Sequence, residues 1–197
     1  RNNFIKQAGV LAVAGIICRM IGILYRSPLA QIIGDEGNGY YSSAYNIYLI
    51  ILLVSSYSIP SGISKEIAQR LSLGEYKNAQ RVFYCALIYV FFVGGIASLL
   101  TYFCSGFLAE SNSAAVLRVF APTIFFSGFL GVFRGYFQAR ATMAQTSVSQ
   151  ILEQLANAII SILAANYLIH SVSSESPTIK AIYGAAGSAA GTGAGVI

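Results

Sequence analysis

AGVLAVAGIICRMIGILY, Ala8–Tyr25, is an apolar run of 18 residues broken by a single charge, Arg19. At ~1.5 Å per residue the run is ~27 Å long as a helix, close to the hydrocarbon thickness of a bilayer. A cation at that depth costs at least about 2.5 kcal/mol. Water, a carboxylate or an anionic ligand must offset that cost. Arg26 follows one heptad later, ~10 Å along the helix and ~20° around it. Gly15 and Gly22 share roughly that face. The stripe is narrow, backbone-exposed and positive, suited to meeting negative charge inside a membrane.

The composition agrees with that setting. Hydrophobic residues make up 56% of the 197 and charged residues 10%, against about a quarter charged in soluble domains. Breaking the chain at charges and turn residues gives six expected spans, 8–27, 41–60, 82–104, 115–137, 148–169 and 179–197. The fold class expected is therefore an all-α integral membrane protein with a single transmembrane lobe over 1–197. Lys and Arg set its orientation. Arg1, Lys6, Lys65, Arg70, Lys77, Arg81, Arg134 and Arg140 fall on one side, and only Arg26, Arg118 and Lys180 on the other. That asymmetry puts the N-terminus in the cytoplasm. The net charge of +5 is mostly this signal, and nucleic acid is not an expected partner. The first apolar run reads as a retained helix, not a cleavable signal. Cys18, Cys85 and Cys104 lie within or at the ends of spans without metal-ligand spacing, as small apolar packing residues do. The chain begins with Arg and stops at Gly195-Val196-Ile197 inside an apolar run. It reads as part of a larger transporter, not expected to transport alone.

Between the first two spans, Leu29–Ile33 reads as a short interfacial helix and Gly34-Asp35-Glu36-Gly37-Asn38-Gly39 as a polar turn. A gate loop at the outer mouth is the functional alternative. Tyr41, Tyr45 and Tyr48 share a helical face beside Asn46. They fit an interfacial aromatic belt, the commoner reading, or the lining of a sugar or headgroup pathway. Pro60 is expected to break the second span, with Ser64 capping an amphipathic helix over Lys65–Leu73. The uncharged third span is expected to face lipid, with Gly94 and Gly95 permitting close packing. Pro122 interrupts the fourth span, and Arg134 at its inner end is expected to snorkel to the interface. Burial against phosphate is the alternative.

Gln150, Glu153, Gln154 and Asn157 recur at i, i+3, i+4 and i+7, a polar face on an apolar helix. Glu153 is the one carboxylate expected within a span. The face is expected to line an aqueous cavity, where Glu153 pairs with a cation or takes up a proton. His170 reads as an interface residue. The sequence has no Ser-His-Asp set, phosphate-cradling loop, paired carboxylates or metal cluster. No catalytic residue, metal or cofactor is expected. GAAGSAAGTGAG, Gly184–Gly195, is a close-packing pattern.

Several stretches together resemble a known group: CRMIGILYRSPLAQIIG, GNGYYSSAYNIY, SSYSIPSGISKEIAQR, APTIFFSGFLGVFRGYFQARATMAQTSVSQILEQ and GAAGSAAGTGAG. The chain is similar to the N-terminal half of flippases of the multidrug/oligosaccharidyl-lipid/polysaccharide superfamily. The branch it resembles is the stage V sporulation protein B type, related to MurJ-type lipid II flippases. The resemblance implies a two-lobe, MATE-like transporter of the bacterial cytoplasmic membrane with alternating access to a central cationic cavity, the second lobe lying outside this chain. Arg19 and Arg26 match first-helix arginines that engage the lipid pyrophosphate. Tyr45, Asn46, Gln150, Glu153, Gln154 and Asn157 are expected to line the cavity, with Arg134 and Gln138 at an inner gate. One departure is that the second span has no arginine between Tyr40 and Ser64. The expected partners are a lipid-linked oligosaccharide or lipid II-like substrate, membrane lipids and the second lobe. A MATE-like drug or cation antiporter would need an acidic cavity, and a glycan-assembly enzyme a carboxylate or metal constellation. A noncatalytic scaffold would not need Arg19.

Overall fold

A computed structural model describes residues 2–140, 142–172 and 176–197. Arg1, counted in the orientation signal, lies outside them. The described chain is helical and contains no strand: α1 (Asn2–Leu52), a π-helical turn (Leu53–Tyr57), α2 (Ile59–Ser72), α3 (Tyr76–Leu108), α4 (Ser111–Ala139), α5 (Met143–Ser171) and α6 (Pro177–Val196).

Four stretches are long and apolar enough to cross a membrane: Gly9–Ser72, Tyr76–Leu108, Ser111–Ala139 and Met143–Ser171. This is a multi-pass membrane protein. The first stretch has 64 residues, roughly three bilayer cores of helix at ~1.5 Å per residue. It is bent at Gly34, whose φ of 77° and ψ of 172° leave the helical region. The expected spans 8–27 and 41–60 lie on either side of that residue. The bend corrects the expected six-residue turn, because α1 is helical again at Asp35. Only Gly34 needs the left-handed φ that glycine tolerates. Gly37 serves packing instead, since a Cβ there would sit 2.9 Å from the Ala181 carbonyl oxygen of α6.

A second correction concerns Pro60. It opens α2 within the first turn rather than ending a helix, where a missing N–H removes no helical bond. Ser64 is thus inside α2 and caps nothing. Ile63 and Ile67 of α2 are buried against Ala79 and Val90 of α3 and Val132 of α4. The outer side of α3 is apolar and open, with Phe92, Ile96, Leu99 and Phe103 all exposed. That is the face of a helix in lipid.

α6 is too rich in Gly and Ala to count as apolar enough by itself. It is sheathed by protein instead, with seven of its residues buried, among them Gly184, Gly187, Ser188 and Gly191. A Cβ at Gly184 would meet Ile169, one at Gly187 would meet Ala164 and Ala165, and one at Gly191 would meet Ser161. Partner numbers fall as the α6 number rises, so α5 and α6 run antiparallel with backbones nearly touching. Small residues allow such an approach in the membrane, where packing rather than water drives association.

Candidate functional site

The two arms of α1, the start of α2, and α4, α5 and α6 enclose a cavity of about 850 Å³. Its walls follow helical periodicity. From α1 come Cys18, Arg19, Gly22, Tyr25 and Arg26; from α4 come Ser127, Leu130, Arg134 and Gln138; from α5 come Gln150, Glu153, Gln154 and Asn157. Tyr45 also lines it, so nine of the ten expected site residues border one space. Asn46 does not, and lines a neighbouring cavity of about 480 Å³.

Tyr41, Tyr45 and Tyr48 of α1 turn inward rather than forming the expected belt. Tyr48 stacks on Phe120 of α4 at 4.8 Å between ring centroids, and Tyr41 stacks on Tyr45 at 5.6 Å. Phe120 is fully buried and anchors all three tyrosines to α4, fixing a flat wall along the cavity.

Arg134 does not snorkel. Its guanidinium donates to Glu153 Oε2 at 2.6 Å and to Ser149 Oγ at 3.1 Å. The reason lies in the glycines beside it. A Cβ at Gly135 would sit 2.7 Å from the Pro60 carbonyl oxygen, and one at Gly131 would sit 3.2 Å from Pro60 Cγ. That face of α4 is held against α2, and Arg134, ~100° around the helix from Gly135, points toward α5. Its Nε is buried without a hydrogen-bond partner. The pair joins two helices at the rim of the cavity, its side chains 18% and 23% exposed.

Asn157, one turn along α5 from Glu153, is a hub. It donates to the Tyr25 hydroxyl at 3.3 Å and accepts from Ser161 at 2.9 Å and from Thr192 at 3.4 Å. These bonds tie α1, α5 and α6 together across the cavity floor. Tyr25 and Thr192 were not singled out from the sequence. Tyr25 could have been, as it shares a face of α1 with Arg26 and Gly22, but Thr192 is one hydroxyl in a glycine run.

Three arginines and one glutamate line the cavity, a net charge of +2. Glu153 is already engaged by Arg134, whereas Arg19 and Arg26 have no ion pair among the described residues. The described lining therefore carries net positive charge, and the guanidiniums of Arg19 and Arg26 have the chemistry to meet phosphate or carboxylate oxygens. Among the described residues, no three His, Cys, Asp or Glu side chains come together to hold a metal ion.

A model of the family described as polysaccharide biosynthesis protein matches residues 4–189. The chain belongs to that family. Among family relatives in Bacillus subtilis strain 168, the protein named lipid II flippase MurJ is 24% identical over 184 residues, covering 87% of this chain and 34% of the relative. Stage V sporulation protein B is 27% identical over 160 residues, covering 79% and 31%. The uncharacterized membrane protein YabM is 28% identical over 155 residues, covering 76% and 28%. The chain thus spans about a third of the length of these relatives. No solved structure matches it.

Proposed function

We propose that this chain is the N-terminal lobe of a flippase that moves a polyprenyl-pyrophosphate-linked sugar across the bacterial cytoplasmic membrane. The observation that carries the reading is that Arg19 and Arg26 of the first membrane-length helix line a cavity and have no ion pair among the described residues. A pyrophosphate bears several negative charges and does not cross hydrocarbon unaided. Guanidiniums in a wet cleft lower that barrier by charge-assisted, often bidentate contacts, while the polyprenyl tail stays in lipid. No bond is made or broken, so the protein is a transporter rather than an enzyme. The names of the two flippase and sporulation relatives support the same class.

In this reading the lobe crosses the membrane six times, with α1 crossing once on each side of Gly34 and α6 crossing inside a sheath of protein. The N-terminus is cytoplasmic. A second lobe faces the cavity and completes it, and the two rock to expose it to either side. Arg134 and Gln138 form an inner gate on α4, with Gln150, Glu153 and Gln154 opposite on α5. A drug or cation antiporter fits less well, because the one cavity carboxylate is occupied by Arg134.

The test is native mass spectrometry of the intact protein, with undecaprenyl pyrophosphate competing against an organic cation. Lipid binding that is lost in Arg19→Ala supports the flippase. Cation binding that survives Arg19→Ala and is lost in Glu153→Gln overturns it in favour of the antiporter.

A further inference from the structure

The neighbouring cavity of about 480 Å³ sits in the crook of α1, between the arm ending at Ile33 and the arm beginning beyond Gly34. Its volume is that of a small-molecule site, and it adjoins the larger one. Tyr25, Arg26, Tyr41 and Tyr45 line both. Arg26 is thus at the seam, and among the described residues it is the only charged one on the smaller cavity's wall.

The lining is of a different kind from the cationic cavity. Asn38, Ser42 and Asn46 follow one another at i, i+4 and i+8 and form a polar stripe on the second arm of α1. All three are exposed to the cavity side and have no side-chain hydrogen bond among the described residues. Two amides and a hydroxyl offer both donors and acceptors. Next to them the Tyr41 and Tyr45 rings stack nearly parallel, 13° apart, giving an aromatic surface with polar tips. Free amides beside aromatic rings, with no carboxylate and a cation only at one edge among the described lining residues, match a neutral ring bearing hydroxyls and an apolar face.

We propose that this crook is a sugar subsite: it holds the first hexose or N-acetylhexosamine of the substrate while Arg26, at the seam, and Arg19 hold the pyrophosphate next door. The inference rests on the flippase reading and adds where the glycan is recognised. The bend at Gly34 opens the subsite, because a straight α1 would carry Asn38 and Asn46 away from Arg26.

The experiment compares two probes on the intact protein by native mass spectrometry: undecaprenyl pyrophosphate, bare and carrying one N-acetylglucosamine. Wild type is expected to bind the sugar-bearing lipid about tenfold more tightly, the gain of about one or two net hydrogen bonds. The double variant Asn38→Ala, Asn46→Ala should lose that preference and keep its affinity for the bare lipid, which also reports that it is folded. Arg19→Ala should weaken both probes together. Equal affinity of wild type for the two lipids, or an equal loss of both in the asparagine variant, overturns the sugar subsite and leaves the flippase reading standing. Failure of wild type to bind either lipid overturns both.

Discussion

Replacing Glu153 by Gln removes the carboxylate that meets Arg134 at 2.6 Å across the gap between α4 and α5. Exposed ion pairs contribute about 0.2–1 kcal/mol, whereas breaking a fully buried pair by removing one partner costs about 3–5 kcal/mol. The side-chain exposures of 18% and 23% place this pair between those limits, because one side faces the cavity. A coupling energy of about 2 kcal/mol follows. Ser149 remains as a second acceptor for the Arg134 guanidinium, which keeps the loss below the fully buried figure. The assay is a double-mutant cycle of Glu153→Gln, Arg134→Gln and the double variant, with unfolding free energies from denaturing-detergent titration of the protein in micelles. Each single variant is expected to lose about 2 kcal/mol, and the double variant little more than either. Losses that add to within about 0.5 kcal/mol would refute the claim that this contact ties the two helices together.

Further outcomes follow from the packing and from the cavity wall. Gly187→Ala should destabilise the protein by about 1–3 kcal/mol, because the new Cβ would lie 2.6–2.8 Å from the backbone of Ala164 and Ala165. Gly106→Ala in α3, where a Cβ meets nothing within 4 Å, should be neutral or stabilising by up to about 1 kcal/mol; thermal unfolding of the two variants checks the contrast. Cys18 lines the large cavity whereas Cys104 lies on the exposed side of α3. In liposomes a charged maleimide should therefore label Cys18, and not Cys104, and undecaprenyl pyrophosphate should slow that labelling; labelling of Cys104 alone would contradict this arrangement.

Arg19 was legible in the sequence because a cation within an apolar run carries a cost that demands a reason. The stripe from Gln150 to Asn157 was legible because its period matches a helix. Both signals are local. What the sequence hid depends on contacts between distant segments. The partner of Arg134 is Glu153, and nothing in the local pattern distinguishes that pairing from snorkelling. It follows from Gly131 and Gly135 seating α4 on Pro60, which turns Arg134 toward α5. The inward direction of Tyr41 and Tyr48 likewise depends on Phe120, more than seventy residues away. The run from Gly34 to Gly39 has turn chemistry throughout, yet a single residue leaves the helical region, since Gly37 is required small by Ala181 rather than bent. That same bend carries Asn46 into the smaller cavity instead of the larger. Proline both ends helices and opens them, and Pro60 sits in the first turn of α2 because its ring suits that position.

The most direct test of the central claim is translocation itself. The intact protein would be reconstituted in liposomes with a fluorescent polyprenyl-pyrophosphate-linked sugar, and the fraction reaching the opposite leaflet followed by quenching, for wild type, Arg19→Ala and Arg26→Ala. The account predicts translocation by wild type and its loss in both variants, with all three equally well folded. Translocation that continues undiminished without either arginine would contradict it.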